Sequence, residues 1–135
     1  MDEDRLTPQM GRLIDAAKGA AGKAEGFSRV EGVAVLTEDG SVYVGWAGVV
    51  ADQGQTLTQV SVETSAGGLA VAAARKASPG RILAAAVAGA GDCGETVLPS
   101  SLTVRALAEV APELPLVLKR HGRWVLSALS EFVTQ

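Results

Sequence analysis

The sequence predicts an α/β protein in which one mixed sheet of about five strands carries helices on both faces. Strand-like runs and helical periodicities alternate along the chain rather than segregating, which is the pattern of a sheet covered by its own connections. Turn signals of the hairpin kind, Asp39-Gly40 and His121-Gly122, sit between paired strand-like runs. Small residues dominate the interior candidates, and aromatics are only 4% of the chain, so the core must gain its burial by close helix packing or by association. With 135 residues the chain is expected to form a single domain over 1–135. Residues 1–6 are expected to be a disordered N-terminus, and the core is large enough to need no disulfide or structural metal.

The elements follow in order. Thr7 is a hydroxyl N-cap and Pro8 occupies the first helical position, where its missing N–H is harmless. Met10, Leu13, Ile14, Ala17, Ala21 and Ala24 then recur at helical spacing, with Gly19 and Gly22 weakening the later turns and Gly26 ending the helix. Val33–Leu36 and Val42–Val44 form a hairpin around Thr37-Glu38-Asp39-Gly40-Ser41, and Ala47 to Gln59 is expected to be a loop. Val60 and Val62 either extend a strand or lead into the next helix. That helix runs from Leu69 to Ala77, with its start near Ser65 opposed by Gly67-Gly68 and its end set by Pro79-Gly80. Ile82–Val87 is a buried strand and Gly89–Thr96 a loop. Pro99-Ser100-Ser101 opens an amphipathic helix through Ala111, closed by Pro112. Leu116–Leu118 and Trp124–Leu126 form a second hairpin, and a terminal helix is expected over Ser127–Val133. The order is αββαβαββα.

Several functions are disfavoured by charge and patterning. The net charge of −3 offers no basic stripe for nucleic acid. The start Met1-Asp2-Glu3-Asp4 is the reverse of a signal peptide's basic region. The purest apolar run, Ile82 to Gly91, has about half the ~20 residues that span a bilayer. One cysteine excludes an intramolecular disulfide, and a cytoplasmic location with no membrane partner is expected.

A zinc site needs three or four ligands of the cysteine, histidine or carboxylate kind, and the chain has one histidine and one cysteine. His121 and Cys93 lie in different loops, and Glu38 and Asp39 belong to a hairpin turn, so no metal and no cofactor is expected. A Ser-His-Asp arrangement would have to use His121, which sits in the basic turn Lys119–Arg123 and reads better as a solvated hairpin tip. With Trp124 the same turn has the charge to touch an anionic ligand, though such clusters ordinarily protect a sheet edge. Cys93 lacks a nearby basic partner that would activate it as a nucleophile. Gly89-Ala90-Gly91-Asp92-Cys93-Gly94 matches the dinucleotide fingerprint, yet Glu95–Leu98 separate it from the helix that would have to receive the pyrophosphate. It reads as a loop.

Several longer strings resemble the small homotetrameric cytidine deaminases. Phe27-Ser28-Arg29-Val30 followed by Gly32–Gly40 is similar to that family's opening segment and first hairpin. Ala108–Leu114 and Leu129–Val133 are similar to its third helix and closing segment. The resemblance covers about Leu13 to Val133 and implies a three-layer α/β/α fold. In that family zinc is held at the start of the second helix and by both cysteines of P-C-x-x-C at the third, and a glutamate shuttles protons. The first motif falls on Ser65-Ala66-Gly67 and the second on Pro99-Ser100-Ser101-Leu102-Thr103, with the proline in place. Ser65, Ser100 and Thr103 thus replace the ligands, and Gly67 replaces the shuttle. The residues expected to hold a ribose map near Trp46-Ala47-Gly48-Val49, where neither Asn nor Glu occurs, and the loop that follows is longer.

The expectation is a non-catalytic protein of this fold acting through self-association, as a dimer or tetramer, or through a protein partner or small ligand. Ser65, Gly67, Ser100 and Thr103 are the candidate binding residues of a vestigial pocket, with no catalytic residue assigned. The small-residue segment Ala66–Ala74 is the candidate subunit interface, set against a helix packed flat on its own sheet. The alternatives are a nucleoside deaminase with an unrecognised site and a regulatory dimerisation module of the roadblock type.

Overall fold

A computed structural model describes residues 8–22, 30–48, 62–77, 80–89 and 96–132. The elements are α1 (Pro8–Ala21), β1 (Val30–Thr37), β2 (Val42–Gly48), α2 (Ala66–Ala77), β3 (Ile82–Gly89), α3 (Ser101–Val110), β4 (Pro115–Arg120) and β5 (Arg123–Ala128), closed by a 3-10 turn at Leu129–Phe132. The five strands form one sheet in the order β2-β1-β3-β4-β5. Only the β3–β4 pair is parallel; β1–β2, β1–β3 and β4–β5 are antiparallel. Helix α3 makes the crossover that a parallel pair requires.

Alternation along β1 divides the interior into two cores. Val33 and Val35 face α2 and α3, where Ala70, Ala74, Val104, Leu107, Leu116 and Leu118 complete the packing. Ala34 and Leu36 face the other way, against Leu13, Ile14 and Ala17 of α1. The central strand β3 is buried on both sides from Ala84 to Ala88, which is why its sequence is a continuous apolar run. Two glycines set the helix–sheet spacing. A Cβ on Gly32 would run into the backbone of Ala17 and Ala21 in α1, and one on Gly45 into the backbone of Ala66 and Ala70 in α2. Both hairpins turn through left-handed backbone, Gly40 at φ 88° in the first and His121 and Gly122 at 53° and 80° in the second.

The structure corrects several boundaries, among them the start of β1 at Val30 and the end of β3 at Gly89. Helix α1 ends at Ala21, where Gly22 donates to the Lys18 carbonyl, rather than at Gly26. Strand β2 continues through Trp46 to Gly48, past the expected loop start at Ala47, because each of these residues pairs with β1. Helix α2 starts at Ala66 and includes Gly67 and Gly68. The expected terminal helix is a four-residue 3-10 turn, because β5 keeps Ser127 and Ala128 paired with Leu116 and Pro115. Thr7, Pro79, the segment Phe27-Ser28-Arg29, most of the glycine-rich loop with Cys93, and residues 1–6 lie outside the described residues. No helix among the described residues is long and apolar enough to cross a membrane.

Candidate functional site

The N-termini of α2 and α3 meet at the sheet end where β3 and the parallel β4 terminate, the end at which open α/β sheets place their ligands. Each begins with a serine. Ser65 precedes α2, accepts from Gly68 N through Oγ at 3.0 Å, and donates its own proton to the Val62 carbonyl at 2.7 Å. Ser100 precedes α3, and its Oγ accepts from Thr103 N at 3.2 Å. Both hydroxyls therefore act as N-caps, satisfying one of the amides that the first turn of a helix leaves without an intrahelical partner.

Gly67 and Thr103 join the two helices directly. Gly67 N donates to Thr103 Oγ1 at 3.0 Å. The approach is so close that a Cβ on Gly67 would stand 2.8 Å from Thr103 Cγ2 and 3.0 Å from its Cα. Glycine is at this position because the neighbouring helix fills the space a side chain would need.

Glu31 completes the arrangement. It lies on β1 in phase with Val33 and Val35, so the pleat carries it to the α2/α3 face, where it is 3% exposed. Its Oε2 accepts from Ser100 N at 2.8 Å, and its Oε1 accepts from Ser100 Oγ at 3.0 Å and Thr103 Oγ1 at 2.6 Å. A carboxylate beside the first turn of α3 also sits at the positive end of that helix's dipole. Thr103 Oγ1 thus gives its proton to Glu31 and receives one from Gly67, so the carboxylate, the hydroxyl and the amide form one directed chain across three elements. Sequence reasoning missed Glu31. Its spacing of two and four residues from Val33 and Val35 was the available signal, since a charge in phase with buried positions requires partners.

Ser65, Gly67, Ser100 and Thr103 are thus adjacent, and the other candidates lie elsewhere or are engaged. Asp39 Oδ1 accepts from Thr37 Oγ1 and Ser41 N, and Glu38 Oε1 accepts from Arg81 N, so both acids serve the first hairpin. His121 N donates to Thr96 Oγ1 at the second hairpin tip. Arg120 pairs with Glu131 at 3.7 Å and lies 5.5 Å over the ring of Phe132. Within the segment Ala66–Ala74, Ala66, Gly67, Ala70, Val71 and Ala74 are buried in the chain itself, whereas Leu69 and Ala72 are exposed. The small side chains of the buried face permit the close contact with β2 and α3. An open cavity of about 490 Å³ lies at the opposite end of the sheet, lined by Arg75, Arg81, Ile82, Val110, Glu113 and Pro115 among others. No motif in the sequence points to it.

The class this architecture defines is the cytidine deaminase fold. Over 93% of its length the chain is similar to the cytidine deaminase of Burkholderia pseudomallei, with 26% identity, a TM-score of 0.68 and 95% of that chain covered. The cytidine deaminase of Mycobacterium leprae aligns with 93% of the chain and 98% of its own, at 20% identity and a TM-score of 0.66. That of Bacillus anthracis aligns over 90% and 84%, at 19% identity and a TM-score of 0.62. No protein-family model and no curated protein sequence matches the chain.

The zinc ion implied by this resemblance does not fit the residues present. Zinc takes thiolate, imidazole or carboxylate donors. Ser65, Ser100 and Thr103 offer neutral hydroxyls, each already bonded to backbone or to Glu31, and Gly67 has no group to move a proton. Among the described residues no three His, Cys, Asp or Glu side chains cluster to hold a metal.

Proposed function

We propose that this protein is a non-catalytic member of the cytidine deaminase fold, acting in the cytoplasm through self-association or by binding a protein partner or small ligand. The observation that carries the reading is the state of the site. The two helix N-termini that face each other hold capping serines, a glycine pressed on a threonine, and an internal carboxylate that accepts from Ser100 and Thr103. Without a positioned acid–base group, proton transfer loses about 10²–10⁴ in rate, and without a metal the nucleophilic water loses its activation. The engagement of Gly67, Ser100 and Thr103 with one another and Glu31, and of Ser65 with its own helix turn, favours association over small-ligand binding at these residues.

The test is metal analysis of purified protein together with ammonia release from cytidine. Substoichiometric zinc and no turnover are expected. Zinc at one equivalent per chain, or measurable turnover, overturns the reading. Sedimentation at micromolar concentration is expected to show a dimer or tetramer, and a strict monomer removes the self-association half.

A deaminase with an unrecognised site is the second reading, favoured by one observation: the solved structures that align over nine-tenths of the chain are named cytidine deaminases. The same alignment favours this architecture over the roadblock-type module.

A further inference from the structure

We infer that Glu31 is a built-in ligand: its carboxylate occupies the anion-binding site made by Ser100, Thr103 and the first turn of α3, and ties β1, α3 and α2 together there. The tie rests on the hydrogen bonds and not on the non-catalytic reading. A buried carboxylate is expensive to desolvate unless its lone pairs are filled. Here an amide and two hydroxyls fill them at 2.6–3.0 Å. The same three donors would each lose an acceptor if the carboxylate left, and buried donors left unpaired are costly. The dependence is therefore mutual. Thr103 extends it to α2, because the same Oγ1 that donates to Glu31 accepts from the Gly67 amide.

This places a carboxylate-specific site inside the fold, filled by the chain itself. Removing the side chain vacates it while leaving its donors in place, so a small free carboxylate has somewhere to bind. Glutamine is a poorer occupant than glutamate. With its amide oxygen on Ser100 N, glutamine would turn its nitrogen to the two hydroxyls, which could accept from it but would lose Glu31 as the acceptor of their own protons.

The experiment is chemical rescue. Glu31→Ala is expected to lower the melting temperature by roughly 10 °C, and formate is expected to recover part of that loss in a saturable way. Wild type should not respond to formate, and chloride at equal ionic strength should rescue neither. Formate raising wild type and variant alike, or failing to raise Glu31→Ala, overturns the site.

Thr103→Val keeps shape while removing the hydroxyl, and it decides the matter if Glu31→Ala does not fold. Amide exchange at Gly67 is then expected to quicken about 10-fold, while Ser100, bonded to Glu31 directly, stays protected. Equal exchange at both amides in wild type and variant overturns the tie. These outcomes are independent of catalysis: turnover of cytidine would refute the non-catalytic reading and leave the rescue result standing.

Discussion

Ser65 and Ser100 occupy the same capping position on two helices but carry different burdens. Ser65 serves α2 alone, accepting from Gly68 N, so Ser65→Ala is expected to lose about 1 kcal/mol of stability in urea denaturation. Ser100 also donates to Glu31, and Ser100→Ala is expected to lose about 2–3 kcal/mol because a cap and a charge-assisted bond go together. Equal losses for the two would show that the Ser100–Glu31 bond adds nothing to folding. Gly67→Ala forces a methyl onto Thr103, and the helices must part to admit it; a loss of about 1–3 kcal/mol is expected in the same measurement. These positions were legible in the sequence only through the deaminase resemblance, because serine, glycine and threonine carry no chemistry by themselves. Glu31 is harder to read for a different reason. Read beside Val30 and Gly32 it looks like the polar residue before a strand, and its phase matters only once the strand is known to begin at Val30.

The elements themselves were easier to read, because hydrophobic period and turn chemistry act locally. The hairpins at Asp39-Gly40 and His121-Gly122 needed only the left-handed backbone that their residues supply. The start of α2 was obscured because glycine disfavours helix, yet Gly68 is required there: a Cβ would strike the Val62 carbonyl. The length of β2 was hidden because Gly45 and Ala47 look weak as strand residues when their role in admitting α2 is unseen. The same geometry assigns opposite signs to glycine substitutions. Gly11 and Gly19 lie in α1 with open space where a Cβ would go, so Gly11→Ala and Gly19→Ala are each expected to stabilise by about 0.5–1 kcal/mol through helix propensity and reduced unfolded-state entropy. Gly45→Ala puts a methyl against the α2 backbone, and a loss of about 3 kcal/mol is expected. Urea midpoints for the three variants check this. Stabilisation by Gly45→Ala would mean that α2 does not lie so close to β2.

At the scale of the molecule, one sheet separates two cores that share no helix, so cooperativity between them depends on the strands. Residues of β1 and β3 alternate between the cores, and Val117 of β4 faces α1 while Leu116 and Leu118 face the other side. A strand cannot keep one face ordered and release the other, because its backbone pairing serves both. The described sheet is therefore expected to unfold as a unit. The two tryptophans stand on opposite edge strands, Trp46 on β2 and Trp124 on β5, and each reports one edge. Single-tryptophan variants Trp46→Phe and Trp124→Phe are expected to show fluorescence transitions whose urea midpoints, each compared with far-UV circular dichroism of the same variant, coincide. Gly32→Ala, which presses on α1, and Gly67→Ala, which presses on α3, are expected to move both tryptophan transitions together, although each acts on one core. A midpoint that shifts at one edge and not at the other would show that the two sides of the sheet fold separately, and that β3, buried on both faces, does not transmit the loss.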